Sequence, residues 1–107
     1  MTIIKQKLTL NKYETILILK SDLSEESITI LINEYQALLI ENGAKNIFIQ
    51  NRGRRHLIYS IKQYHDGIFV QVNYEGNGLV IQQISKKVKF DENILRYMTM
   101  RSINVTP

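Results

Sequence analysis

Three arginines stand within four residues, Arg52, Arg54 and Arg55, interrupted only by Gly53. A guanidinium is planar, permanently charged and able to grip two phosphate oxygens at once, so the cluster suits polyanion binding. On a regular strand Arg52 and Arg54 share a face, and a bulge at Gly53 would turn Arg55 toward them. Phosphate contacts of this kind position a protein without reading base sequence. The competing account is a solvated edge strand whose charges deter aggregation. Lys12, Arg96 and Arg101 form a second candidate anion contact if they line one side of a sheet. Lys86, Lys87 and Lys89 need no ligand: near the end of a helix each gains about 0.3–1 kcal/mol from the dipole.

Little else in the chain suggests chemistry. His56 and His65 are too few and too isolated to hold a metal ion. No cysteine is present, which removes disulfides and thiolate ligands. No nucleophile stands with a base, and carboxylates pair only at the start of a helix. The expectation is a protein that is not an enzyme and takes no cofactor, metal or small-molecule substrate. Its 107 residues suit one domain, and a hydrophobic share of 44% is enough for a core. A net charge of +4 favours anionic partners such as nucleic acid. No apolar run approaches the roughly 20 residues needed to cross a bilayer, so no membrane partner is expected. Abundant isoleucine, asparagine and lysine fit an AT-rich genome, those of plastids included.

The elements that must position these residues are legible from periodicity. Tyr13 to Leu19 is apolar on both parities, which predicts a central strand with one face under helices. Ser24 caps a helix whose apolar stripe is Ile28, Leu31, Ile32, Tyr35, Leu38 and Leu39, and Gly43 ends it. Ala44 to Ile61 is a long strand, with Gly53 marking a bulge or a close approach. Tyr64-His65-Asp66-Gly67 reads as a hairpin turn, because Asp-Gly is a strong local signal. Ile68 to Tyr74 returns as a strand, Gly78 to Lys89 is a second helix, and Ile94 to Arg101 is the last strand. The order β-α-β-β-α-β predicts an α+β, ferredoxin-like split βαβ fold, a four-stranded antiparallel sheet with two helices on one face. Residues 1–11 read as a leader, 12–103 as the domain and 104–107 as a short tail. Ile16 and Ile18, with Met98 and Met100, form a second apolar face that a partner protein is expected to cover.

Four stretches resemble one family. Tyr13-Glu14-Thr15 with Ile16 to Leu19 and Ser21-Asp22-Leu23-Ser24-Glu25-Glu26 is similar to its opening strand and helix entry. Asn51-Arg52-Gly53-Arg54-Arg55-His56-Leu57-Ile58-Tyr59 resembles its glycine-arginine-arginine strand. Gly67 to Glu75 is similar to the following strand, and Asp91 to Arg101 to the closing one. The family is that of bacterial-type ribosomal protein six of the small subunit, and the resemblance spans about Lys12 to Arg101. It departs at Ser21 and Ser60, where prolines are usual nearby, and at His56, which replaces a basic residue. The resemblance implies a ribosome component, in a plastid stroma or a bacterial cytoplasm. Its implied partners are small-subunit ribosomal RNA and a second small ribosomal protein, the eighteenth of the set.

Three rival functions are distinguishable. Acylphosphatases share the topology but need a glycine-rich loop with an arginine after the first strand, where this chain has Lys20-Ser21-Asp22. A ferredoxin-like regulatory or oligomerisation module would bind a small ligand or itself, and would be indifferent to salt and RNA. A base-stacking RNA-recognition motif is disfavoured, since Gly67 to Asn73 supplies only Phe69 with polar neighbours on its parity.

Overall fold

The computed structural model describes residues 10–101. The elements are β1 (Asn11–Lys20), α1 (Glu25–Glu41), β2 (Lys45–Ile61), β3 (Tyr64–Gly76), α2 (Gly78–Lys89) and β4 (Ile94–Arg101). The strands form one antiparallel sheet in the order β2-β3-β1-β4, the expected ferredoxin-like arrangement. Asn11 already belongs to β1, while residues 1–9 of the expected leader, and residues 102–107 including the tail, lie outside the described residues.

The helices begin where side chains can satisfy free amides. Ser24 accepts from the Ser27 N–H at 3.1 Å, with Glu25 and Glu26 at the positive end of α1. Gly43, at φ +84°, leads the chain out of α1 in a conformation that a Cβ would disfavour. Asn77 caps α2 through the amides of Leu79 and Val80. Lys86, Lys87 and Lys89 fill the last turn of α2, where cations complement the dipole.

Strand parity builds the core. Thr15, Leu17 and Leu19 of β1 and Ile68, Val70, Val72 and Tyr74 of β3 are buried. They meet Ile28, Leu31, Tyr35 and Leu39 from α1 and Val80, Ile84 and Val88 from α2. Burying each large side chain contributes about 1.5–3 kcal/mol before entropy is counted. Thr15 is the polar member of this layer. Its Oγ1 lies 2.9 Å from the Tyr74 hydroxyl and 2.9 Å from Thr99 Oγ1, so three strands share one hydrogen-bond chain. The Tyr35 hydroxyl donates to Asp91 Oδ2 at 3.0 Å, which ties α1 to the loop after α2. Burial first, and then Asp91, raises the Tyr35 phenol above its ordinary pKa; burial also raises that of Tyr74.

The hairpin turn is not at Tyr64-His65-Asp66-Gly67. Ile61 pairs with Tyr64, and the two-residue loop is Lys62-Gln63, with φ of 49° and 72°. Both values lie in the left-handed region that primed two-residue loops require. Asp66 and Gly67 sit within β3 instead, opposite His56 and Arg55. The glycine serves packing there: a Cβ on Gly67 would stand 2.5 Å from Ile18 Cγ2. The Asp-Gly pair marks a close approach between strands and not a turn.

Gly67→Ala is expected to destabilise the fold by about 1–3 kcal/mol, because branched Ile18 has to move; an unchanged denaturant midpoint would show the contact to be soft. Alkali should act through Tyr35. Below the ordinary phenol pKa of 10.0 both states of the chain keep Tyr35 neutral, whereas above it only the unfolded chain readily ionises. Stability should therefore fall as pH rises from about 9 to about 11, and fall less steeply in Tyr35→Phe. Urea midpoints with parallel pH profiles for the two proteins would remove Tyr35 as a cause.

Candidate nucleic-acid and protein interface

Opposite the helices the sheet carries a second face. The even positions of β1, Glu14, Ile16 and Ile18, point there, and β4 pairs Met100, Met98 and Arg96 against them. On the other side of β1, Phe69 stands beside Ile18 and Gln71 beside Ile16. Ile16, Ile18, Met98 and Met100 are thus brought together, with Met98 53% and Met100 46% exposed. Ile16, Met98, Ile18 and Phe69 form an apolar stripe on the side of the sheet away from α1 and α2.

The arginine cluster lies on β2, an edge strand whose pairing among the described residues is with β3 alone. The register shifts between Asn51 and Gly53, leaving Arg52 as the extra residue. Gly53 takes φ +89° and donates its N–H to Asn51 Oδ1 at 2.8 Å, which holds the bulge. The bulge does not gather the arginines as the strand pattern suggested. Arg54 pairs with Ile68, so it faces the helix side, and its guanidinium donates to the Ser21 carbonyl at 3.2 Å. Arg55 pairs with Gly67 on the open face and lies over the Phe69 ring, 5.5 Å from its centroid. Arg52 donates to Gln50 Oε1 at 3.3 Å. The cluster straddles the edge.

The second cationic group is split likewise. Arg96 pairs with Ile18 and Lys12 with Glu75, both on the open face. Arg101 pairs with Tyr13, whose parity is that of the core, and donates to Asn11 Oδ1 at 2.9 Å. The expectation that Arg96 and Arg101 share one side is therefore corrected: an odd spacing on an unbroken register points them oppositely. Lys12 is also within β1, not ahead of it.

Leu57, Ile58 and Tyr59 adjoin the candidate site, although residue type and spacing did not single them out. The register jumps from His56–Asp66 to Ile61–Tyr64, so residues 57–60 stand opposite His65 alone. Leu57 is tucked in at 8% exposure, whereas Ile58 and Tyr59 are lifted out at 90% and 82%. A signal was present, since Leu57-Ile58-Tyr59 is apolar without the alternation a half-buried strand should show. Among the described residues no group of three or more histidines, cysteines or carboxylates is placed to hold a metal ion.

A family model described as ribosomal protein S6 matches residues 12–101 of this sequence. The chain belongs to the ribosomal protein S6 family. It is 58% identical over 94 residues to the small ribosomal subunit protein bS6c of the red alga Porphyra purpurea, spanning 88% of this chain and 84% of that one. A bacterial relative, bS6 of a Picosynechococcus strain, is 40% identical over 91 residues, or 85% and 79% of the two chains. The crystal structure of 30S ribosomal protein S6 from Thermotoga maritima superposes with a TM-score of 0.81, covering 87% and 88% of the two chains at 22% identity. That last likeness shows the shared fold. S6-family proteins are structural proteins of the small ribosomal subunit and not enzymes, and this chain takes its place among them.

Proposed function

We propose that this S6-family chain binds small-subunit ribosomal RNA together with a second protein, the eighteenth of the small subunit. One observation carries the reading: the sheet face turned away from the helices combines an apolar stripe with guanidinium groups at its rim and edge. Ile16, Ile18, Met98 and Met100 meet the partner protein, where burial of apolar area supplies affinity. Arg52, Arg54 and Arg55 meet phosphates along the β2 edge. Because they point to both sides of that edge, they suit a backbone passing along it better than one lying flat on the sheet. Lys12 on the open face and Arg101 on the helix side add positive charge at the far end of β1, and Arg96 stands where the apolar and basic parts join. The net charge of +4 supports the same partner class.

The compartment belongs to the same reading. The red-algal relative at 58% identity and others named bS6c, in Pyropia yezoensis at 55% and Guillardia theta at 56%, support a ribosome of the plastid stroma. The bacterial relative keeps a bacterial cytoplasm as the alternative source. A self-associating regulatory module has less support, since such a module has no use for a guanidinium-lined edge.

The test is a salt titration of binding to a central-domain fragment of small-subunit ribosomal RNA, with the partner protein present. Alanine at Arg52, Arg54 and Arg55 together should weaken binding and flatten the log–log salt slope by about one unit per lost phosphate contact. Equal affinity and an equal slope would remove these arginines from the RNA surface.

A further inference from the structure

Where the lifted segment of β2 passes the end of the open face, it encloses a groove of about 420 Å³. Ile18 and Phe69 form the floor, Leu57, Ile58 and Tyr59 the wall, and Arg96 the opposite rim. Among the described residues no carboxylate lines it. Ile18 keeps its place in the floor because its methyl group fills the space that a Cβ on Gly67 would take. Arg55 lies over the Phe69 ring, 5.5 Å from its centroid. Two features are costly in water unless something covers them: Ile58 at 90% exposure and Tyr59 at 82% are large apolar side chains that the described residues barely touch.

We infer that this groove is an anchor pocket for one segment of a partner protein, a segment presenting a large aliphatic or aromatic side chain beside a carboxylate. The inference rests on the reading that the open face meets a protein, and it names the point where that contact is strongest. The apolar side chain fills the space between Ile18, Phe69 and the raised Ile58 and Tyr59. The carboxylate meets the Arg96 guanidinium, the permanent charge at the groove's rim. This assigns Arg96 to protein recognition instead of to phosphate.

A nucleobase fits the lining less well. Ile18, Leu57, Ile58 and Ile61 are aliphatic and offer nothing to a polar base edge, so the hydrogen-bonding groups, on His56, Tyr59, Ser60 and Arg96, surround a mostly apolar lining. Single-strand readers stack successive bases on several free aromatic faces, whereas here Tyr59 stands alone and Phe69 already carries Arg55 over its ring. The groove also continues into the Ile16–Met98 stripe, so a single protein surface covers both, whereas a single base would leave the stripe wet. Large apolar anchors in pockets, ringed by polar contacts, are where interfaces concentrate their affinity.

Calorimetric titration of the full chain with the purified eighteenth protein of the small subunit tests this. Ile58→Ser with Tyr59→Ser should weaken binding about tenfold or more, the loss expected for a desolvated anchor site. Both positions are so exposed that the free protein should keep its denaturant midpoint. Arg96→Glu should weaken binding about as much while Arg96→Lys retains most of it. Met98→Glu, on the stripe but outside the groove, reports on the face as a whole. If Met98→Glu weakens binding and the groove variants do not, the pocket is overturned while the face stands. If none of these variants changes the affinity, the protein-binding face fails and the pocket with it. If the groove variants spare protein binding and weaken binding to the RNA fragment, the pocket belongs to RNA and the inference is overturned.

Discussion

Two helices packed on one side of a four-stranded sheet leave the other side open, and the distinctive features of this molecule derive from that one-sided cover. Leu17 and Leu19 go under the helices with Val70 and Val72, so strand periodicity sends Ile16 and Ile18 to the opposite side. A slip of one residue in β1 would exchange the two sets, which is why the register is strongly specified. The Thr15–Tyr74–Thr99 hydrogen-bond chain marks the correct alignment, since a shifted register would part the three hydroxyls. The apolar character of both parities of β1 is thus no excess. One parity folds the domain, and the other forms the open face proposed for association.

The edge strand β2 adds the second ingredient by being irregular three times, first between Lys45 and Phe48 and then twice within reach of the site. At Gly53 an extra residue divides the arginines between the two sides of the edge. After His56 a longer irregularity tucks Leu57 in and pushes Ile58 and Tyr59 out. Bulges at sheet edges redirect side chains and spoil the flat ladder on which another chain could stack. Here they serve both ends, because the same distortions that blunt the edge arrange its cationic and apolar groups. The His56–Asp66 pair, with Nδ1 and Oδ1 3.2 Å apart on an exposed surface, adds little stability but lies between the second and third irregularities.

Periodicity and cap chemistry made most of the fold legible. The stripe from Ile28 to Leu39 and the Ser24 cap foretold α1, and Gly78 to Lys89 and Ile94 to Arg101 matched the second helix and last strand. The failures were local and have physical causes. Asp66-Gly67 mimics a turn, yet its glycine is demanded by Ile18 on a strand far away in sequence, and no local pattern registers such a contact. Ile16, Ile18, Met98 and Met100 could be grouped because simple alternation holds on β1 and β4. The arginines could be found but not aimed, since each bulge resets the parity of the residues after it. Arg101 was placed beside Arg96 although an odd spacing on an unbroken strand sends them apart. Leu57, Ile58 and Tyr59 break the alternation and so signal an irregularity, but residue type does not say how many residues it displaces or to which side.

The central claim is that the open sheet face is covered in the assembled particle and bare in the free chain. Methionine oxidation reads this directly, because Met98 and Met100 are both on that face and about half exposed. Dilute peroxide followed by mass spectrometry should convert both to sulfoxide rapidly in the free protein and slowly in intact small ribosomal subunits. Equal oxidation rates in the two states would contradict the account.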